Sequence, residues 1–184
     1  MDECGFSQRP NVRRTWAPKG QTPRLKGNFN WKRLSVTGAI AWRPGQAHAQ
    51  LFFSPRPGAL NTDDAVEFLG NLHRQVRGPV VVLWDGLPAH RSRRVADFAQ
   101  RNAHWLRLVR LPAYAPELNP VEYFWAHLKN GTTANYAPDH LSELQEHLLA
   151  ATRRLRRREN IGLGYIKHAG LLDPAECFQL RKDQ

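Results

Sequence analysis

Between Gly78-Pro79 and Asp85 lie five consecutive apolar residues, Val80 to Trp84. A short, β-branched run of this kind is expected of a central strand covered on both faces, and it is far below the roughly 18 residues needed to cross a membrane. Downstream, Ser92 is placed to cap a helix carrying Val95, Phe98 and Ala99, and Trp105 to Leu111 again has strand character. A strand, helix, strand order implies a parallel pair joined by a right-handed crossover. The chain is therefore α/β rather than a helical bundle.

The flanking segments extend this core. Leu34, Val36, Ile40 and Trp42 alternate with small or polar residues, RPGQ (43–46) breaks the pattern, and residues 47–54 resume it, which predicts an antiparallel hairpin ended by the prolines of SPRPG (54–58). Asn61 or Thr62 can cap a helix with Ala65, Phe68, Leu69, Leu72 and Val76 on one face. LPAYAPELNP (111–120) reads as an extended loop stiffened by proline. Pro120 then starts a third helix and Asp139 a fourth, the latter with Leu141, Leu144, Leu148 and Leu155. A mixed five-stranded sheet flanked by helices follows, with 1–184 as a single domain.

Charge narrows the class of partner. The 184 residues hold 27 Lys and Arg against 16 Asp and Glu, a net charge of +11, which favours an anionic partner. The excess lies in the flanks: residues 1–50 carry 9 basic and 2 acidic groups, 51–150 carry 10 of each, and 151–184 carry 8 and 4. Arg outnumbers Lys 21 to 6, as bidentate phosphate contacts or a biased genome composition would each produce. Cys4 and Cys177 lie far apart without metal-ligand spacing, so neither a disulfide framework nor a zinc site is expected. The start MDECGFSQRP lacks an apolar signal region, and a reducing, cytoplasmic, bacterial-type and nucleoid-associated setting is the expectation.

Asp85 sits at the carboxyl end of the central strand, where open α/β sheets place ligands, although an Asp there can also hold its own turn. Glu122 is the third residue of a helix with Asn119 as N-cap and Pro120 at N1, the arrangement of a capping box. Asp2 taken alone is a polar terminal residue. His90 can position a phosphate or a nucleophile, or cap the following helix. Arg91, Arg93 and Arg94 lie just beyond Asp85, and Arg153, Arg154, Arg156, Arg157 and Arg158 end the fourth helix. Both groups are candidates for DNA-backbone contacts, with solvated helix faces and helix-dipole complementation as the structural readings.

Taken together these residues resemble the catalytic domain of DDE-type transposases of the mariner-like insertion-sequence group. The likeness covers nearly the whole chain. Asp85 and His90 in WDGLPAHRSRRV match the second catalytic Asp and its nearby His; LPAYAPELNPVEYFW (111–125) matches the segment with the third carboxylate; and Asp2, Glu3, Gly5, Phe6, Trp16, Gly20 and Pro23 match the first strand and its turn. The resemblance implies a ribonuclease-H-like fold in which Asp2, Asp85 and Glu122 converge on Mg²⁺ or Mn²⁺, two ions in the usual scheme, for cleavage and strand transfer of duplex DNA at transposon ends and target, with self-association in a transposition complex.

Two departures accompany it. The helix-turn-helix region that family members carry ahead of the first Asp is expected to be missing, with the hydrophobic half of the first strand, so Asp2 is expected to fray and to bind metal weakly. Gly86 stands where an Asn often follows the second Asp. The alternatives are a catalytically inactive, non-specific DNA-binding remnant of a transposase and an RNA-cleaving nuclease on the same fold.

Overall fold

The computed structural model describes residues 1–27, 31–112 and 115–172. Three strands, β1 (Asp2–Ser7), β2 (Arg33–Ala41) and β3 (Gln50–Pro57), form an antiparallel sheet in the order β1-β2-β3. The predicted alternation puts Leu34 and Val36 fully inside. The strand after the hairpin runs through the prolines instead of stopping at them, pairing Pro55 with Val36 and Pro57 with Leu34. β3 has a partner on one side only, and an edge strand can lack an outward N–H without losing a ladder bond.

The crossover is as the sequence predicts. β4 (Val80–Trp84) and β5 (Leu106–Arg110) are parallel, in register from Val80↔Leu106 to Trp84↔Arg110, with α2 (Arg93–Arg101) between them in sequence. Ser92 caps α2 through Val95 N–H. Ahead of β4, α1 (Thr62–Val76) starts in a capping box built from Asn61 and Asp64, and stops at Arg77 in the left-handed region with φ 54°. Ala65, Phe68, Leu69 and Leu72 bury its apolar face.

The expected five-stranded sheet is not formed. Its five strands are all present, but as a three-stranded and a two-stranded sheet. The sheets meet where the Met1 amino group donates to Leu83 O at 2.8 Å, and β1 brings no further ladder to β4. For the same reason β4 is not covered as its sequence predicts: Val82 and Trp84 are buried, but Val81 is 61% exposed. Nor does Asp2 fray. β1 pairs with β2 along its whole length from Asp2↔Gly38 to Ser7↔Arg33, so its anchorage comes from β2 rather than β4.

Helices cover both sheets. α3 (Pro120–His127), the π-helical turn Leu128–Thr132 and α4 (Leu141–Arg156) pack on the antiparallel sheet around Phe6, Leu34, Phe124, Trp125 and Leu148. α1, α2 and Met1 close a second core around Val82, Trp84 and Leu106. α4 begins at Leu141, two residues later than expected: His140 is its extended N-cap, and the Asp139 amide donates to Glu143 ahead of the first turn. A further helix, α5 (Ile161–His168), contains Gly162 and Gly164, whose weak helix propensity hides it in the sequence.

Candidate active site

Asp2 begins β1 and is buried at 6% exposure. The indole of Trp125, one turn along α3 from Glu122, donates Nε1–H to Asp2 Oδ2 at 2.9 Å. The ring reaches it because β2 has Gly38 opposite Asp2: a Cβ there would stand 2.5 Å from the indole. Burial raises the Asp2 pKa from 3.8 to about 6, and repulsion from Glu122 adds to it, against the lowering effects of the Glu3 backbone, Trp125 and the amino group. The buried Met1 amino group is itself lowered from 8.0 to about 6 by desolvation, which Asp2 and Asp85 only partly offset.

Asp85 follows the last residue of β4. Its Oδ1 accepts from Leu87 N–H at 3.2 Å and faces His90 Nδ1 at 2.7 Å. The other ring nitrogen, Nε2, faces Glu3 Oε1 at 3.0 Å, and the imidazole stacks on Trp84 with centroids 4.2 Å apart. Two carboxylate oxygens on the two nitrogens are both satisfied as acceptors only by the doubly protonated ring. Burial opposes that charge, but Glu3 and Asp85 outweigh it and hold the His90 pKa above its ordinary value. The N-cap of α2 is Ser92, and His90 ties β1 to the end of β4 through both ring nitrogens.

Glu122 does not close a capping box. Asn119 accepts from Val121 N–H through its side chain at 3.2 Å, but the Asn119 amide donates to Pro116 O at 3.0 Å, within the short 3-10 turn Pro116–Leu118. That turn removes the donor for which Glu122 would reach back. Glu122 is exposed, and its carboxylate has no hydrogen bond or ion pair among the described residues. Ala113 and Tyr114, inside the motif that carries it, lie outside the described residues.

The structure brings Asp2 and Glu122 into electrostatic contact, and links Asp85 to β1 through His90 and Glu3. It does not gather all three carboxylates into one ligand set: among the described residues no group of three or more His, Cys, Asp or Glu stands close enough to hold a metal ion. Of the arginines, Arg94 is paired with Asp63 at 2.6 Å and Arg156 donates Nε–H to Leu51 O at 2.8 Å, so both have structural work. Arg91, Arg93, Arg153, Arg154, Arg157 and Arg158 are exposed. An 86th side chain would meet the Arg91 guanidinium at 2.8 Å, so Gly86 leaves room for that group beside Asp85.

Glu3 and Trp125 are visible in the sequence only as members of motifs, not as the partners of His90 and Asp2, and Gly38 carries no signal at all. Glu3 lies 87 residues from His90, and no local pattern signals such a pairing.

Residues 1–145 match the family model described as DDE superfamily endonuclease. No curated protein matches the chain. Among solved structures, the fold is similar to the Mos1 strand transfer complex (18% identity, TM-score 0.65, 99% of this chain and 53% of that one). It is also similar to the Mos1 mariner paired-end complex with Mn (19%, TM-score 0.64, 99% and 54%). The isolated catalytic domain of Mos1 mariner transposase matches at 18% identity and TM-score 0.56, over 81% and 72%. The chain thus spans about half the length of the Mos1 chains in the complexes. Among the described residues no helix is long and apolar enough to cross a membrane.

Proposed function

The chain belongs to the DDE superfamily endonucleases, and from this we propose that residues 1–184 form one transposase catalytic domain that cleaves and rejoins the strands of insertion-sequence DNA with the help of Mg²⁺ or Mn²⁺. The observation that carries the reading is the placement of Asp2. Its carboxylate is buried at 6% exposure and fixed by Trp125; burial chiefly, and the Glu122 carboxylate in addition, disfavour its charge, and a cation relieves both.

The donor set fits hard divalent ions: Asp2, Asp85 and Glu122 offer only oxygen, and Glu122 is uncommitted. Those three residues would hold the ions, two in number on this reading, which supply a nucleophile at neutral pH and stabilise the leaving oxygen of a phosphodiester. The protein's own part is positional. Trp125 fixes the Asp2 carboxylate through Oδ2, and His90 fixes Asp85 through Oδ1, leaving one oxygen of each without a side-chain bond among the described residues. The exposed Arg91 and Arg93 lie next to Asp85 in sequence, where a DNA backbone would be steadied, and Arg153, Arg154, Arg157 and Arg158 add a second basic surface. Self-association in a synaptic complex and an intracellular, nucleoid-associated setting belong to the same reading. The two sheets are taken as halves of one five-stranded ribonuclease-H-like sheet.

A second reading, an inactive DNA-binding remnant, draws on the fact that the described carboxylates and histidines form no three-ligand cluster. Nicking of supercoiled plasmid with Mn²⁺ separates the two. The first reading expects nicking by the wild type and its loss in Asp85→Asn; DNA binding without nicking in either protein supports the remnant.

A further inference from the structure

We infer that the arm between β1 and β2, residues 13–27, docks unpaired DNA, with phosphates held by its cations and a base stacked on Trp16. This rests on DNA being the substrate, as proposed for the carboxylate site, and on no property of the carboxylates themselves.

The arm is anchored at both feet and open between them. At one foot Asn11 O accepts from Asn135 N–H at 3.0 Å, and the Asn135 side chain accepts from Arg13 N–H at 2.8 Å and donates to Arg13 O at 2.9 Å. At the other, Gly27 comes so close to Ala137 that a Cβ would stand 2.7 Å from the alanine methyl. Midway the chain turns back where Gln21 N–H donates to Pro18 O at 3.0 Å, and Gly20 takes the positive φ, 85°, that glycine permits. Every residue from 11 to 24 is exposed.

Its side chains combine positive charge with bare aromatic faces. Arg13, Arg14, Lys19, Arg24 and Lys26 are all exposed, and no acidic residue occurs between Glu3 and Asp63. Trp16 is 100% exposed, in a residue type that is mostly buried. Beside the first foot, the Arg9 guanidinium lies over the Trp31 ring, 4.9 Å from its centroid, and that ring is 77% exposed. Cations that track a backbone, next to aromatic faces on which bases stack, bind single strands without sequence preference.

The bare indole selects unpaired bases. In a duplex the base faces are covered by their neighbours in the stack, and phosphate contacts need only the cations. A second copy of this chain is the poorer occupant. It carries the same net charge of +11, and on α1 Asp63 is already paired with Arg94 and Asp64 with Arg56. The position also suits DNA opened beside a cleaved bond: β1 runs from Asp2 to Ser7, so the arm starts about one strand length, roughly 17 Å, from the buried carboxylate.

The test is fluorescence anisotropy of the full chain in metal-free buffer with an oligothymidylate of about 15 nucleotides, the same backbone without bases, and a duplex of about 40 base pairs. Trp16→Leu should bind the oligothymidylate at least ~5-fold more weakly than the wild type, and Trp16→Phe should stay within ~2-fold of it. On the abasic backbone and the duplex, Trp16→Leu should match the wild type within ~2-fold, with an unchanged melting temperature because the ring is fully exposed. Equal weakening on all three probes, no weakening on the oligothymidylate, or a phenylalanine form as weak as the leucine form overturns the proposal. So does a wild-type dimer that Trp16→Leu dissociates, which gives the arm to a second copy. Mn²⁺-dependent nicking is read separately: nicking without base-dependent binding removes the arm alone, and base-dependent binding without nicking removes the catalytic reading alone.

Discussion

Asp2 is the residue at which the fold and the chemistry conflict. Its pKa is raised from 3.8 to about 6, so its contribution to stability is full below pH 3.8 and is lost as pH rises through about 6; the change corresponds to roughly 3 kcal/mol. Asp2→Asn keeps an acceptor for Trp125 Nε1–H but cannot ionise. In metal-free buffer it should therefore gain stability over the wild type as pH rises from 4 to 7, which paired thermal melts across that range will check; a constant difference would remove the electrostatic account. Glu122→Gln tests the same coupling from the other side. It should lower the Asp2 pKa, read by carboxyl NMR titration, and leave the folding free energy within about 0.5 kcal/mol, since Glu122 does not take part in the cap. A loss of about 1 kcal/mol in Glu122→Ala, which unlike glutamine cannot reach back to the Asn119 amide, would instead restore the capping box that the Asn119–Pro116 geometry argues against.

At the scale of elements, β2 and α3 hold the site through one close approach. Gly38 gives the Trp125 indole the space in which it meets Asp2, and an alanine there would have to displace the ring. Gly38→Ala should cost about 1 to 3 kcal/mol and alter the Trp125 indole N–H resonance, whereas Gly5→Ala, with open space around its Cβ, should do neither. This contact also marks the limit of what the sequence reveals. Period-two alternation located β2, 3.6-residue periodicity located α1 and α4, and the apolar run located β4, because each pattern reports local burial. The continuation of β3 through Pro55 and Pro57 was hidden, because whether proline stops a strand depends on which side of the sheet has a neighbour. Asp85 and Glu122 could be picked out by their motifs and positions. The Glu3–His90 pair and the Gly38 slot could not, because they exist only where distant segments meet.

For the whole molecule, a net charge of +11 with exposed arginines at α2 and at the end of α4 predicts binding to duplex DNA through phosphates. Affinity should fall steeply between roughly 50 and 200 mM salt with little dependence on sequence. Replacing Arg153, Arg154 and Arg157 together by alanine should reduce the magnitude of the log–log salt slope by up to about 3, as fluorescence anisotropy would record; an unchanged slope would take the α4 end out of the interface. Binding alone does not distinguish a catalytic domain from a remnant, since both are basic. Divalent metal does. The most direct measurement is therefore a calorimetric Mn²⁺ titration of the wild type beside Asp2→Asn, Asp85→Asn and Glu122→Gln: the account predicts saturable binding to the wild type and at least a ~10-fold loss of affinity in each variant, and equal affinities in all four would contradict it.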